Sequence, residues 1–172
     1  MNTAYIYLQL YRLFDSATPI PADCGKLCDK ACCKGDDCGM FLFPGEEEVY
    51  KLLSPKWIGI EPSDFTYDYN GKTYNVPIAF CKGVCDRYQR PLSCRIFPVT
   101  PHFDANGDLE IIMDPRAKSV CPLAKGLYLE DLDSNFIKKV KKTFILLLKN
   151  KRFKTFMRAY SSYIDEFLRF FN

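Results

Sequence analysis

The C-terminal part of the chain places its apolar residues with the period of an α-helix. Apolar side chains recur there every three or four positions, so that they share one face of a helix with about 3.6 residues per turn. The pattern predicts two amphipathic helices from Ser134 onward. Their apolar positions are Phe136, Val140, Phe144, Leu147, Leu148, Phe153, Phe156, Met157, Tyr160, Ile164, Phe167 and Phe171.

Three shorter helices are predicted earlier in the chain. Residues 4–14 have a helical period, although the run AYIYLQLY also alternates as a strand would. Asp23 is a suitable N-cap for a short helix that carries the first cysteines and ends near Gly35. After the turn at Pro44, the run EEEVYKLL has acidic residues in its first turn, as the helix dipole favours. The apolar side of the first helix is predicted to consist of Ile6, Leu10, Leu13 and Phe14.

Period-two alternation and tight-turn dipeptides predict β structure in the middle of the chain. A short strand is expected at 40–43, and residues 57–76 alternate around Asn70-Gly71, a dipeptide that favours hairpin turns. Asn106-Gly107 predicts a second hairpin, and its second arm is rich in β-branched residues. The arms of that hairpin are expected at Val99–Phe103 and Leu109–Met113.

These elements predict an α+β fold in one domain of 172 residues. We expect a small antiparallel sheet with hairpins and short helices around a cysteine-ligated metal site, closed by the two C-terminal helices. The cysteine-containing core is predicted at 24–123 and the helical extension at 132–172. An apolar content of 48% is sufficient to build a core.

Nine cysteines in 172 residues are the chemical feature that needs explanation. Thiols at such a density are oxidised in pairs, bound to metal or left reactive. The N-terminal residues lack a basic stretch and a small-residue cleavage site, and no apolar run approaches the ~18 residues of a membrane span. We therefore expect a cytoplasmic protein, no membrane partner and reduced thiols, and the odd cysteine count also fits a disulfide framework poorly. The cysteines are Cys24, Cys28, Cys32, Cys33, Cys38, Cys81, Cys85, Cys94 and Cys121.

The spacing within the first group has a geometric consequence. If residues 24–33 are helical, Cys24, Cys28 and Cys32 form one stripe, because residues four apart differ by only about 40°. Cys33 then points about 100° away from Cys32. Either the helix ends at this pair, or one of the two thiols serves another site or the core.

Two other interpretations compete with metal binding. Free cysteine is among the most buried residue types, so some of the nine thiols can be core residues, and the apolar setting of Cys38 fits that interpretation. A nucleophilic cysteine needs a base, but His102 is the sole histidine and its sequence context favours a hairpin surface position. The clustering favours metal over both alternatives.

A metal site in this chain has to be mainly sulfur-ligated, because histidine is almost absent. Four cysteine sulfurs suit a structural zinc ion and equally an iron–sulfur cluster. The predicted ligands come from eight positions, which could form one cluster, two mononuclear sites or one four-ligand site with spare thiols. We favour a single cluster, drawn from Cys24, Cys28, Cys32, Cys33, Cys81, Cys85, Cys94 and Cys121.

The cysteine segments resemble those of a known group. A run that ends in Cys32-Cys33, the segment CDRYQRPLSCRIFP from Cys85 to Pro98, and Cys121-Pro122 are similar to motifs of the YkgJ-like family of zinc- or iron-chelating cysteine-cluster proteins. The similarity extends over roughly residues 24–123. It implies a cysteine-cluster metal site, and a distantly similar cluster occurs in iron–sulfur lysine methylases that act on flagellin.

Two arginines and the basic tail complete the candidate residues. Four thiolates around a divalent ion carry a formal charge of −2, so we expect Arg90 and Arg95 close to the ligand sulfurs. The alternative is that Arg90 packs on Tyr88 or solvent and that Arg95 pairs with an acidic residue.

Residues 132–172 carry ten Lys or Arg against three Asp or Glu. This charge could dock an acidic protein, but the pI of 8.3 and the lack of a stacking motif disfavour nucleic acid.

The sequence thus predicts a metal-binding protein with a zinc or iron–sulfur thiolate site. An iron–sulfur enzyme of redox or protein lysine-methylation type is the alternative. A noncatalytic adaptor that uses the basic helices is a third class.

Overall fold

A computed structural model of the protein describes residues 3–33, 39–82 and 85–171. The chain forms two compact units. The first unit comprises Met1–Ala17 and Cys32–Arg95, and the second unit comprises Thr18–Ala31 and Ile96–Asn172. The expected α+β class is confirmed, whereas the expectation of a single domain stays a prediction.

Within the described residues, the first unit contains two complete helices, the start of a third and a three-stranded antiparallel sheet. The strand order is β1-β3-β2, and the Asn70 and Gly71 turn between β2 and β3 adopts positive φ angles of 52° and 71°, as the sequence predicts. The register of this hairpin shifts between Pro62 and Thr66. The elements are α1 (Thr3–Leu13), β1 (Gly39–Phe41), α2 (Glu47–Leu53), β2 (Ile58–Tyr69), β3 (Lys72–Cys81) and the start of α3 (Leu92–Ile96).

Helix α1 forms where predicted, and its buried face overlaps the predicted one in part. Of the predicted positions, Leu10 and Phe14 are both 3% exposed, whereas Leu13 is 52% exposed. Tyr7 and Tyr11 are buried beside Leu10. Tyrosine can be buried at these positions because its hydroxyl finds partners, and Tyr7 Oη donates to the Pro44 carbonyl at 3.1 Å. The two tyrosines therefore turn the buried face of α1 away from Leu13.

The second unit contains a β-hairpin and three complete helices. The hairpin arms coincide with the predicted ranges, and Gly107 in the turn has a φ of 81°. Helices α5 and α6 confirm the two predicted C-terminal helices. The elements are β4 (Val99–Phe103), β5 (Leu109–Met113), α4 (Pro122–Gly126), α5 (Ser134–Leu147) and α6 (Lys151–Phe171).

The apolar faces of α5 and α6 form the core of the second unit. Phe144 is fully buried, and its ring centroid lies 6.2 Å from that of Phe153. Asp133 caps α5 by accepting from the Phe136 N–H at 2.7 Å. The lysines at 138, 141, 142, 149, 151 and 154 are absent from this core and lie on the solvent side or at its margin.

No helix within the described residues has both the length and the apolar character needed to cross a bilayer.

Candidate metal centre

The first cysteine segment is not the regular helix that the spacing predicts. Asp23 caps a 3₁₀ turn at Cys24–Lys26 by accepting from the Gly25 N–H, as expected of an N-cap. Asp29 and Lys30 then adopt positive φ angles, and the Lys30 N–H bonds the Gly25 carbonyl, which is the pattern that ends helices. A stripe through residues 24, 28 and 32 is therefore wrong.

A second 3₁₀ turn, at Ala31–Cys33, carries the adjacent pair of cysteines. The tighter turn and the helix end before it let the two side chains meet, and Cys32 Sγ lies 3.8 Å from Cys33 Sγ. The two thiols are thus not turned apart as on a regular helix. Cys32 is exposed and Cys33 is partly buried.

Cys85 is the centre of the thiol cluster in the first unit. The thiols of Cys33 and Cys81 both lie within hydrogen-bonding range of its sulfur, and Arg90 Nε donates to it at 2.9 Å. Cys81 ends strand β3, where it pairs with Ile58, so the sheet fixes its backbone. We call Cys32, Cys33, Cys81 and Cys85 the thiol cluster.

Hydrogen bonding shifts the pKa values of the thiol cluster in opposite directions. Hydrogen bonds with Cys33 and Cys81, together with the bond from Arg90, lower the pKa of Cys85 to about 2, and the hydrogen bond with Cys33 lowers the pKa of Cys32 to about 7. Hydrogen bonds with Cys32 and Cys85 raise the pKa of Cys33 well above its ordinary range, and the hydrogen bond with Cys85 raises that of Cys81. These contacts therefore favour the thiolate form at Cys85 and the thiol form at Cys33 and Cys81.

Cys94 lies in helix α3, within electrostatic range of the thiol cluster. Burial raises the pKa of Cys94 to about 12, and the negative charge on Cys85 adds to this effect. The metal-free thiol of Cys94 is therefore protonated at neutral pH.

The remaining three described cysteines belong to the second unit. Cys121 is 8% exposed and lies in an apolar cluster with Ala117 and Leu123, and Cys24 packs against this cluster. Cys28 Sγ donates to the Cys24 carbonyl at 3.7 Å. The surroundings of Cys121 are typical of apolar, buried cysteine, whereas Cys24 and Cys28 are partly exposed. A metal-ligating role for Cys24, Cys28 and Cys121 stays a prediction.

No disulfide joins any two of the eight described cysteines. Cys38 and the predicted helix end near Gly35 lie outside the described residues. Among the residues that are described, no group of three or more His, Cys, Asp or Glu side chains is arranged so that it could hold a metal ion.

The two arginines of the motif have different surroundings. Arg90 contacts Cys85, as expected of a charge close to a ligand sulfur. Arg95 is buried, and its hydrogen bonds in the described structure go to main-chain carbonyls and to Asp15 rather than to a sulfur. The bond to Asp15 agrees with the alternative in which Arg95 pairs with an acidic residue. Most of the hydrogen bonds of Arg95, however, are made to the backbone.

The sequence context of His102 predicts a position on the hairpin surface, but the structure does not place it there. Its side chain is 9% exposed, and its two ring nitrogens each lie 2.8 Å from a carboxylate oxygen, of Glu110 and of Asp165. The pairing across β4, β5 and α6 explains the burial, and it depends on a residue 63 positions away that local sequence does not reveal.

Sequence reasoning also missed a buried carboxyl group. Glu46 is 0% exposed and immediately precedes α2. The available signal was its spacing from Val49, Tyr50 and Leu53, which places Glu46 on the apolar side of the helix.

No family model, curated protein or solved structure matches the chain.

Proposed function

We propose that the protein binds one metal ion through the thiolates of Cys32, Cys33, Cys81 and Cys85, and that zinc is the ion these residues suit best. The observation that carries the proposal is the position of Cys85, which has two thiols and a guanidinium group as its neighbours. A thiolate without a metal needs such compensation for its negative charge, and a bound metal ion supplies it to all four sulfurs once Cys33 and Cys81 have lost their protons.

The distance within the adjacent pair fits one shared ion. Zn–S bonds of about 2.3 Å place two ligand sulfurs about 3.8 Å apart in a regular tetrahedron. The Cys32 and Cys33 sulfurs are 3.8 Å apart. Coordination requires the four thiols to rotate about their χ1 angles, so that sulfurs that now contact one another in sequence come to surround one ion as a tetrahedron. The thiols that are still protonated lose their protons in this step.

Arg90 provides the charge that such a site needs. Four thiolates and a divalent ion have a formal charge of −2, and a guanidinium group that donates to one ligand sulfur offsets part of it. Arg90 Nε already makes this bond to Cys85.

A zinc ion held by four sulfurs has no open coordination position, so its contribution is structural. The role supported best is therefore metal binding that fixes the turn at Ala31–Cys33, the end of β3 and the loop that follows Cys85. The similarity of residues 85–98 to the YkgJ-like motif agrees with this role.

An iron–sulfur enzyme of redox or lysine-methylation type is the second candidate. It is favoured by the sulfur-only donor set and by the exposure of Cys32, which leaves one side of the cluster accessible. In a four-iron cluster each cysteine binds a different iron, so a close sulfur pair is better explained by one ion.

The deciding experiment is anaerobic purification under reducing conditions, followed by metal analysis and visible absorption. We expect one zinc per chain and no charge-transfer bands. Iron with labile sulfide would replace the zinc proposal by the second candidate. A chain that retains neither metal, and that does not bind added Zn²⁺ or Co²⁺, would refute both.

Single substitutions then test the ligand set. Cys85→Ser should abolish stoichiometric zinc, whereas Cys28→Ser, in the second unit, should leave it unchanged. Cys94→Ser measures whether the buried thiol of α3 joins the site. Equal zinc content in the Cys85 and Cys28 variants would contradict the proposed ligands.

A further inference from the structure

The segment 86–92, which we call the motif loop, has little secondary structure of its own. It contains a three-residue 3₁₀ turn, at Arg87–Gln89, and ends at Leu92, the first residue of α3, so most of its peptide groups need partners outside a helix or strand. Asp86 caps this turn by accepting from the Tyr88 N–H at 2.9 Å. The loop lies between Cys85 and Cys94 and carries Arg90.

Buried side chains bind four successive carbonyls of the motif loop. Arg95 donates to the carbonyls of residues 87, 88 and 90 at 3.1, 2.8 and 2.9 Å. Tyr50 Oη donates to the remaining one, that of Gln89, at 2.9 Å. The loop conformation is thus set by side chains rather than by a backbone ladder.

Arg95 uses all five of its N–H donors in this arrangement. Besides the three loop carbonyls, it donates to the Tyr11 carbonyl at 2.8 Å and to Asp15 Oδ1 at 3.0 Å. Its guanidinium carbon lies 4.5 Å from the centroid of the Tyr11 ring. Lysine has three donors on a single nitrogen and cannot reproduce this pattern.

Glu46 holds the end of the motif loop. Its Oε1 accepts from the Leu92 N–H and from Tyr11 Oη, both at 2.6 Å, and its Oε2 accepts from the Phe43 N–H at 3.0 Å. Tyr11 therefore contacts both Glu46 and Arg95. We call Tyr11, Glu46, Tyr50 and Arg95 the clamp.

We propose that the clamp positions Arg90 against Cys85, and that Arg95 is a positioning residue for the metal site. The carbonyl of Arg90 is held by Arg95, while its side chain donates to the Cys85 sulfur. A loop that loses the Arg95 bonds no longer fixes the direction of the Arg90 side chain, and the charge beside the sulfur is lost. The inference rests on the proposed function, because it assigns the clamp a role in metal affinity.

The test is the zinc affinity of Arg95→Lys, measured by competition with a chelating indicator. We expect affinity to fall about 10–100-fold, the loss typical of groups that orient metal ligands. Tyr7→Phe is the matched control, because it removes a partly buried tyrosine hydrogen bond of α1 whose acceptor, the Pro44 carbonyl, lies outside the motif loop. Its zinc affinity should equal that of the wild type.

A double-mutant cycle separates positioning from a general loss of stability. Arg90→Gln alone should weaken zinc binding, and adding Arg95→Lys should weaken it little further, because Arg95 acts through Arg90. Independent, additive losses would overturn the inference. Should Arg95→Lys fail to fold, Tyr50→Phe is the second variant. It removes the bond to the Gln89 carbonyl and the 3.3 Å contact with Tyr11 Oη, keeps the five Arg95 bonds, and is expected to weaken binding in the same direction.

The outcomes distinguish the two proposals. Wild-type binding with an Arg95→Lys affinity equal to that of Tyr7→Phe would overturn the clamp inference and leave the metal proposal intact. A wild-type chain that binds no Zn²⁺ would refute both.

Discussion

Glu46 is a fully buried carboxyl group with three hydrogen-bond donors around it. Burial raises its pKa from 4.5 to about 7, although the donors and the nearby charge of Arg95 act in the opposite direction. Tyr11, Tyr50 and Cys94 also lie near it, and burial raises the pKa of each of them as well. Glu46 is thus a buried carboxyl group whose pKa lies near neutral pH.

The raised pKa of Glu46 predicts how stability varies with pH. The folded state binds the proton more tightly than the unfolded state, so this contribution is complete below pH 4.5 and is lost as pH rises to about 7. A shift from 4.5 to about 7 corresponds to a loss on the order of 3 kcal/mol in the free energy of unfolding. Urea unfolding of the metal-free chain between pH 4.5 and 8 measures it.

Glu46→Gln is the control for that prediction, because glutamine does not titrate. The decline between pH 4.5 and 7 should be smaller in this variant by about the amount attributed to Glu46. Parallel pH profiles for the two proteins would show that Glu46 keeps an ordinary pKa.

The buried position of His102 predicts that this single residue stabilises the second unit. Its two ring nitrogens bond Glu110 and Asp165, so His102→Ala removes two hydrogen bonds and leaves two carboxylates without their shared partner. We expect a loss of about 1–3 kcal/mol in the free energy of unfolding, measured in urea at pH 6. Lys149→Ala, an exposed change in the same unit, should stay within about 0.5 kcal/mol. Equal midpoints for the two variants would contradict a structural role for His102.

Among the elements, α5 and α6 contribute the largest buried aromatic surfaces of the second unit. Phe144→Ala should lower the free energy of unfolding by about 3–5 kcal/mol, because the ring is fully buried and contacts Phe153. Its neighbour Ile145 is 50% exposed, so Ile145→Ala should cost less than about 1 kcal/mol. Thermal or urea unfolding compares the two, and similar losses would mean that the face of α5 is assigned wrongly.

At the level of elements, sequence reasoning succeeded where one period or one turn dominates. The Asn70-Gly71 and Asn106-Gly107 turns and the apolar period of α5 and α6 each predicted their element. The predicted helix was wrong where two local signals conflict. Residues 24–33 have helical spacing, but the left-handed conformations of Asp29 and Lys30 interrupt it.

For the whole molecule, metal binding should be coupled to stability. Free zinc at 100 times its dissociation constant raises the free energy of unfolding by about 2.7 kcal/mol if it binds only the folded chain. Thermal melting with and without a chelator measures this increase. Cys85→Ser should abolish the difference and Cys28→Ser should retain it. A melting temperature that does not respond to zinc in the wild type would contradict a stabilising site.

The candidate site was predictable only in part. The sequence identified the cysteines and the link between Arg90 and the sulfurs, since the motif contains both. It assigned the same role to Arg95, whose guanidinium instead binds Tyr11, Asp15 and the motif loop. Two arginines five residues apart look equivalent in sequence, and only their burial separates them.

By itself, the sequence determined the hairpins, the two C-terminal helices, the α+β class and the abundance of thiols, because these depend on local period, turn residues and composition. The tertiary structure decided which thiols meet, which face of α1 is buried, and where Glu46 and His102 find partners. Those outcomes depend on side chains distant in the chain that are brought together when apolar surface is buried, and no local pattern records such contacts.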